Sequence, residues 1–301
     1  MEIKAMKNGF NTYHPISQFL FFASVISFTM FIMHPIILLI SLAAGSLYVV
    51  FTGGISGYLN TLRLTLPTSL MIILINPLVS HGGITILSYL PDGNPFTLES
   101  VIFGIAAALL MSCTLKWFYA VNGIFTSDRV IYLFGRLSPR TALLISMILR
   151  FFSKFKAQLR IVRAAQQTLV REGSKGNMIR RIKNGVKIFS SMLQWAMENS
   201  IDTADSMNSR GYGLHKRTSY SVFKIKPSDI LFIITVLAFD IYILAAYIYG
   251  AAEYSYYPMF DISFFDLYTV GIYTAFLILC FMPFIIDVRE AGKWKSIRSG
   301  I

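Results

Sequence analysis

Apolar runs separated by short polar breaks fill most of this chain. Runs of roughly 17 to 25 apolar residues can cross a bilayer as helices. Six such runs occur, at Ile16–Met33, Pro35–Phe51, Leu62–Val79, Val101–Val121, Ile230–Tyr249 and Phe264–Ile286. The breaks between them carry turn residues, among them His34-Pro35, "TGGISG" and "PDGNP". The pattern therefore predicts six membrane-spanning helices.

The stretch "LSPRTALLISMILRFF" (Leu137–Phe152) is apolar but short for a span. A seventh span at this point would also place the basic residues that follow on the wrong side of the membrane. We therefore expect a partly embedded helix that begins near Pro139, a residue favoured in the first turn of a helix, and continues past Arg150.

Two amphipathic helices are predicted after this point. In the first, apolar residues recur at helical spacing at Phe151, Phe155, Leu159 and Val162, up to a break at "REGSKGN" (171–177). The second covers Met178 to Asn208, and its apolar stripe consists of Ile182, Val186, Phe189, Met192, Leu193, Ala196 and Met197. It ends in "SRGYG", where Gly211 or Gly213 in the left-handed conformation would close the helix.

Composition identifies the class of protein. The chain has 301 residues, 55% of them hydrophobic, and a mean hydropathy of +0.60. One water-soluble core could not bury that much apolar side chain, so we predict an all-α integral membrane protein with about six spans. The two cysteines, Cys113 and Cys280, each lie inside an apolar run, which argues against a structural disulfide.

Positive charge is concentrated in one tract. Residues 150–226 hold 16 Lys and Arg against 4 Asp and Glu, which accounts for the whole net charge of +12. The loops at 80–100 and 250–263 contain no Lys or Arg. The basic residues outside the tract lie near ends of the apolar runs that alternate to one side: Lys4, Lys7, Arg63, Lys116, Arg129, Arg136, Arg140, Arg289, Lys293, Lys295 and Arg298. The positive-inside rule then predicts that both termini lie in the cytoplasm. We expect the membrane to be the plasma membrane, and we expect the first 14 residues to be retained.

These patterns divide the chain into three predicted parts. Residues 1–136 form an N-terminal membrane domain with four spans, and residues 227–301 form a C-terminal membrane domain with two. Between them, residues 137–226 form a partly embedded and cytoplasmic region that contains the two long amphipathic helices.

Both amphipathic helices end in an arginine followed closely by a glycine. The first end reads "LVREG", with Arg171 and Gly173, and the second reads "NSRGYG", with Arg210 and Gly211. A cation in the last helical turn is favoured by the helix dipole, by roughly 0.3 to 1 kcal/mol, so simple capping is one interpretation of each end. The repetition favours a second interpretation, in which each planar guanidinium docks on a carboxylate of a partner protein.

Four stretches of the chain resemble one family. They are "NPLVSHGGITIL", "LSPRTALLISMILRF", "AAQQTLVREG" and "ENSIDTADSMNSRGYG". Together they are similar to the transmembrane T component of energy-coupling factor transporters, the family that includes the cobalt-transport Q protein. The resemblance covers about residues 14 to 213, and the last two spans match only loosely.

The resemblance implies a non-catalytic scaffold subunit. In that family two coupling helices end in short Ala-Arg-Gly-type motifs that dock on a pair of ATP-binding-cassette ATPases, and the membrane helices hold a substrate-binding S component. Ser209, Arg210 and Gly211 fit the second motif, with Ser in place of the commoner Ala. Arg171 and Gly173 fall at the first motif, but Glu172 displaces the glycine by one position.

Other site chemistry is weak in this sequence. His14, His34, His81 and His215 are far apart and give no metal-ligand spacing. Asp202 and Asp205 lie one helical turn apart and could form an acidic site, although an isolated pair on a helix more often faces solvent. Asp240 lies inside the fifth apolar run, where an ionisable residue indicates a function, with Tyr242 or a polar group of another helix as its partner. We predict no catalytic residue, cofactor or bound metal.

The chain contains no G-x-x-x-x-G-K-[ST] sequence, so nucleotide would be bound by partner subunits. The expected partners are two ATP-binding-cassette ATPases, an S component for a vitamin or a metal ion, and membrane lipid, with no nucleic acid. Two other functions stay open at this point. One is a polytopic membrane enzyme with an acidic cytoplasmic site at Asp202 and Asp205, and the other is a stand-alone secondary transporter.

Overall fold

Helices account for nearly all of the chain that the structure describes. The structure is a computed structural model, which describes residues 9–89, 93–137, 139–169, 178–212, 223–250, 254–258 and 267–299. A short 3₁₀ helix, Gly9–Thr12, comes first. The α-helices are α1 (Pro15–Phe31), α2 (Pro35–Val79), α3 (Leu98–Ile124), α4 (Ser127–Leu137), α5 (Pro139–Leu169), α6 (Met178–Ser209), α7 (Pro227–Ile248) and α8 (Leu267–Ser299). The predicted all-α membrane class is confirmed.

Four of these helices are long and apolar enough to cross a membrane. They are α2, α3, α7 and the part of α8 from Tyr268 to Glu290, while the apolar α1 is shorter, at 17 residues. The 45 residues of α2 are about twice the roughly 20 that one span needs. Two of the predicted runs lie within this one helix.

A break at Gly54 divides α2 into two helical segments. Gly54 has φ 69° and ψ −175°, a conformation that side chains with a Cβ rarely adopt. The first segment runs parallel to α3: the Cys113 thiol donates to the Leu38 carbonyl at 3.3 Å, and further along both helices Lys116 Nζ donates to Ser46 Oγ at 2.7 Å.

The second segment runs along α3 in the opposite direction. The hydroxyls of Ser69 and Ser112 lie 2.7 Å apart, and Asn76, seven residues later, packs beside Gly104 near the start of α3. Contacts that run in opposite directions before and after Gly54 show that the chain reverses there. The two apolar runs of α2 therefore form an antiparallel pair on the surface of α3.

A small hairpin joins α2 to α3 and was not predicted. Its strands, β1 (Ile86–Tyr89) and β2 (Pro95–Thr97), pair antiparallel. The carboxylate of Glu99, which is 1% exposed, accepts from the backbone N–H of Thr85 at 3.1 Å. Gly83 approaches Glu99 so closely, with φ 124°, that a Cβ would collide with the carboxylate. One buried acid thus holds the hairpin on the first turn of α3.

A histidine caps each of the first two helices. In both, the residue before the first-turn proline is a histidine in extended conformation. His14 Nδ1 accepts from the N–H of Ile16 at 3.2 Å, and His34 Nδ1 accepts from the N–H of Ile36 at 3.3 Å. Each ring therefore satisfies a backbone donor that the first helical turn leaves unpaired. The turn predicted at His34-Pro35 is confirmed.

The chain forms two compact units. One comprises Met1–Arg129 together with Phe223–Ile301, and the other comprises Val130–Val222. The core of the first unit is apolar and strongly aromatic, and its largest buried side chains include Phe10, Phe21, Tyr48, Trp117 and Phe276. The predicted boundary follows residue 136, whereas the first unit ends at Arg129 and the second begins at Val130.

The second unit contains the pair α5 and α6. As predicted, α5 begins at Pro139 and continues through the basic tract, and α6 covers the predicted range with one further residue. The ring of Phe151 in α5 stacks on Trp195 in α6, with centroids 5.6 Å apart. Met192, one turn earlier, is 2% exposed. These side chains form the seam between the two helices.

Candidate docking site at the end of α6

The C-terminus of α6 ends in a glycine cap. Gly211 has φ 80°, and its N–H donates to the Asn208 carbonyl at 2.9 Å. The N–H groups of Arg210 and Tyr212 both donate to the Met207 carbonyl, at 3.1 and 3.0 Å. The left-handed glycine satisfies carbonyls that the helix end would leave unpaired. Gly211 and Gly213 were both candidates for this role, and Gly211 takes it.

Arg210 lies exposed at this capped end. Ser209 Oγ, just before it, donates to the Asp205 carbonyl at 2.8 Å, and Gly211, just after it, closes the turn. Arg210 is thus exposed at a capped helix end, which also carries the negative end of the helix dipole. A planar cation held in this way can make a bidentate contact with a carboxylate outside the chain.

The first predicted motif lies outside the described residues. Helix α5 ends at Leu169, and neither Arg171 nor Gly173 belongs to a described range. The geometry of the docking site therefore rests on Ser209, Arg210 and Gly211.

An exposed apolar stripe runs along α6. It begins in the first turn and recurs every three or four residues, which keeps it on one face of the helix. Its members are Met178, Ile182, Val186, Phe189, Leu193, Met197 and Ile201. Phe189 near the middle is 67% exposed, whereas Met192 packs in the seam with α5. The predicted apolar residues of α6 are thus divided between a seam and an open face.

The two acids considered as an enzyme site lie on the exposed surface of α6. Asp202 and Asp205 are both solvent-exposed. Among the residues that the structure describes, no group of three or more His, Cys, Asp or Glu side chains could hold a metal ion. The pair therefore has no enclosing cavity and no further ligand within the described ranges.

The histidines have separate structural surroundings. His14 and His34 cap helices, His81 is half-buried before the hairpin, and His215 lies outside the described residues. Both cysteines, Cys113 and Cys280, are buried and free.

Asp240 and Lys116 are ionisable side chains within membrane-spanning helices. Asp240 of α7 is paired with Ser24 of α1, with Oδ2 and Oγ 2.6 Å apart, so its partner is a polar group of another helix and not Tyr242. Lys116 was expected near a span end, but it is 5% exposed within α3, where it donates to Ser46 and lies over the ring of Tyr58. Its long stem reaches polar groups of α2 from a buried position.

A buried polar cluster holds the N-terminal segment and was missed in the sequence. The N–H of Phe10 donates to Asp287 Oδ1 at 2.7 Å, and the Phe10 carbonyl accepts from Gln18 Nε2 at 2.6 Å. The N–H of His14 donates to Asp229 Oδ1 at 3.0 Å. The only sequence signal was an acid at the edge of each of the last two apolar runs, Asp229 and Asp287.

Arg129 completes this N-terminal cluster. Its guanidinium donates to the side chain and backbone oxygens of Asn11, at 2.7 and 2.6 Å. It also donates to Gln18 Oε1 at 2.9 Å and to the Ile124 carbonyl at 3.0 Å. One side chain thus joins the N-terminal segment, α1, the end of α3 and the start of α4.

No protein-family model matches the chain, and no curated protein matches it closely enough to indicate a relative.

Proposed function

We propose that this chain is the transmembrane scaffold subunit of an ATP-driven importer of the energy-coupling factor type. Two ATP-binding-cassette ATPases dock on the helix ends of the α5–α6 pair. A small substrate-binding S component for a vitamin or a metal ion is held by the membrane helices and also contacts the apolar face of α6. The subunit carries out no covalent chemistry and transmits movement between these partners. Its membrane is the plasma membrane, with both termini in the cytoplasm.

The observation that carries this proposal is the capped end of α6. An exposed arginine between a serine and a left-handed glycine supports a docking contact, because Gly211 caps the helix end while the Arg210 side chain stays accessible. The missing phosphate-binding sequence supports partner ATPases, since ATP must then be bound outside this chain. The resemblance of "SRGYG" and three further stretches to the T component gives the class of partner.

The exposed stripe of α6 supports a second contact. Seven large apolar side chains on one open helix face are more than a solvated helix needs, and such faces mark binding surfaces. The S component is a hydrophobic membrane protein, so it fits an apolar face better than a soluble partner does. Opening and closing of the ATPases moves Arg210, and helix α6 carries that movement to the stripe.

The docking contact is tested by reversing the charge of Arg210. Arg210→Glu should reduce the ATPase recovered with the tagged protein about tenfold or more, because losing one partner of a close charge pair costs roughly 2 to 5 kcal/mol. Lys187→Glu is the matched control, since Lys187 is also exposed on α6 and makes the same change in net charge. Equal recovery of ATPase with both variants would refute docking through Arg210.

The contact with the S component is tested on the stripe. Phe189→Glu places a charge in the middle of the apolar face and should release the small subunit while the ATPases stay bound. Ser191 is exposed on the same helix and lies two positions after Phe189, on another face, so Ser191→Glu should release neither. If Phe189→Glu retains every partner, the stripe is not the contact surface.

A further inference from the structure

We infer that Asp240 is a proton-binding site inside the membrane, a neutral carboxylic acid that donates its hydrogen to Ser24 and joins α7 to α1. The inference concerns the state of one side chain within the first unit. It is independent of the proposed transport function.

Ser24 has two close oxygen neighbours but only one hydrogen to donate. Ser24 Oγ lies 2.9 Å from the carbonyl oxygen of Leu20 and 2.6 Å from Asp240 Oδ2. A serine hydroxyl has one hydrogen, and a carbonyl oxygen can only accept. Two hydrogen bonds at Ser24 need two hydrogens, and the hydroxyl supplies only one of them. When that hydrogen goes to the carbonyl four residues earlier, a neutral carboxyl group supplies the hydrogen between Ser24 and Asp240.

The other carboxyl oxygen of Asp240 also indicates the neutral form. Asp240 Oδ1 is buried and has no hydrogen-bond partner among the described residues. An ionised carboxylate needs several donors, and burial without them strongly favours the neutral form. A protonated carboxyl group needs far less, since its carbonyl oxygen carries little charge. One paired oxygen and one unpaired oxygen is the pattern of a protonated acid.

The helices packed around Asp240 place no cation beside it. Helix α1 contains no charged residue over its whole length. Apart from Asp240, the titratable residues of α7 are Asp229, about three turns earlier, and the tyrosines Tyr242 and Tyr247. The basic residues of α8 follow Asp287, at the far end of that helix. Among the side chains of these helices that the structure describes, no cation is placed to compensate a negative charge at Asp240.

Asp229, the other acid of α7, has a different set of hydrogen-bond partners. Its Oδ1 accepts from the N–H of His14 at 3.0 Å and its Oδ2 accepts from the N–H of Lys226 at 2.8 Å. Both oxygens of Asp229 thus accept from backbone N–H groups, whereas Asp240 has one hydroxyl partner and one oxygen without a partner among the described residues. Asp229 therefore serves as the internal control.

Infrared spectroscopy of the full-length protein in lipid at pH 7 tests this assignment. A protonated carboxyl group has a carbonyl stretching band that a carboxylate lacks. Asp240→Asn should remove one such band, and the asparagine amide can still donate to Ser24, so the fold is retained. Ser24→Ala should keep the band and shift it to higher frequency, because the hydrogen bond is lost. Asp229→Asn should leave it unchanged.

Two results would overturn the assignment. If Asp240→Asn removes carboxylate absorption and leaves the protonated-carboxyl region unchanged, then Asp240 is ionised. If Ser24→Ala leaves the band at its original frequency, then the proton is not donated to Ser24.

Discussion

Protonation of His34 should weaken this fold at mildly acidic pH. The ring is 3% exposed, and Nδ1 accepts the N–H of Ile36 as the cap of α2. Nε2 lies 2.9 Å from the hydroxyl of Tyr273. Because Nδ1 accepts, the neutral ring carries its hydrogen on Nε2 and donates it to Tyr273. A second proton on Nδ1 would face the N–H of Ile36, so the cap requires the neutral ring.

The magnitude follows from the pKa of the ring. Burial lowers the pKa of His34 from 6.5 to about 4. The unfolded state therefore binds the proton first as the pH falls. The contribution of His34 to stability is complete above about pH 6.5 and is lost progressively down to about pH 4. Each pKa unit corresponds to 1.36 kcal/mol, so the loss over this window is about 3 kcal/mol.

The assay is chemical unfolding in mixed micelles at several pH values, compared between the wild-type protein and His34→Asn. Asparagine is a good cap and has a side-chain oxygen in place of Nδ1, but it does not titrate. The difference in unfolding free energy between the two proteins should shrink by about 3 kcal/mol from pH 7 to pH 4. Carboxylates titrate equally in both proteins and cancel. Parallel curves over the whole window would refute the reasoning.

Three further substitutions test the fold. Gly54→Ala should destabilise the protein by roughly 1 to 3 kcal/mol through backbone strain alone, since no atom lies within 4 Å of the new Cβ. Gly123→Ala, in open helical space, should not destabilise it. Thermal denaturation measures both. Met192→Ala should lower the stability of the α5–α6 pair by about 2 to 5 kcal/mol, because the side chain is buried. Substitution of its exposed neighbour, Leu193→Ala, should lower it much less. Hydrogen exchange of α6 measures both effects. Arg129→Ala should lower stability by roughly 2 to 3 kcal/mol, because Gln18 Oε1 is left buried without its donor. Arg129→Lys should recover only part of the lost stability. Equal melting temperatures of the wild-type protein and Arg129→Ala would contradict this.

Local signals predicted where several helices begin and end, but they did not predict α4. The start of α5 at Pro139 and the glycine end of α6 follow from the conformations those residues favour, which depend on their nearest neighbours. The division of α6 between seam and open face did not follow. Periodicity shows that Met192 and Phe189 are apolar positions of a helix, but not which of them another helix covers.

Long-range polar pairs could not be predicted. Ser24 and Asp240 are 216 residues apart, and Phe10 and Asp287 are 277 apart, so no sequence window contains both partners. The reversal at Gly54 was indicated by "TGGISG", but its consequence depends on how both segments of α2 lie along α3. These features arise from packing between elements, which spacing along one chain does not encode.

The composition of the native complex tests the central proposal most directly. The tagged chain would be purified in mild detergent, and everything bound to it would be identified and weighed by native mass spectrometry. The proposal predicts one copy of this chain with two ATP-binding-cassette ATPase subunits and one small hydrophobic subunit. Recovery of the chain alone under conditions where it stays folded would contradict it.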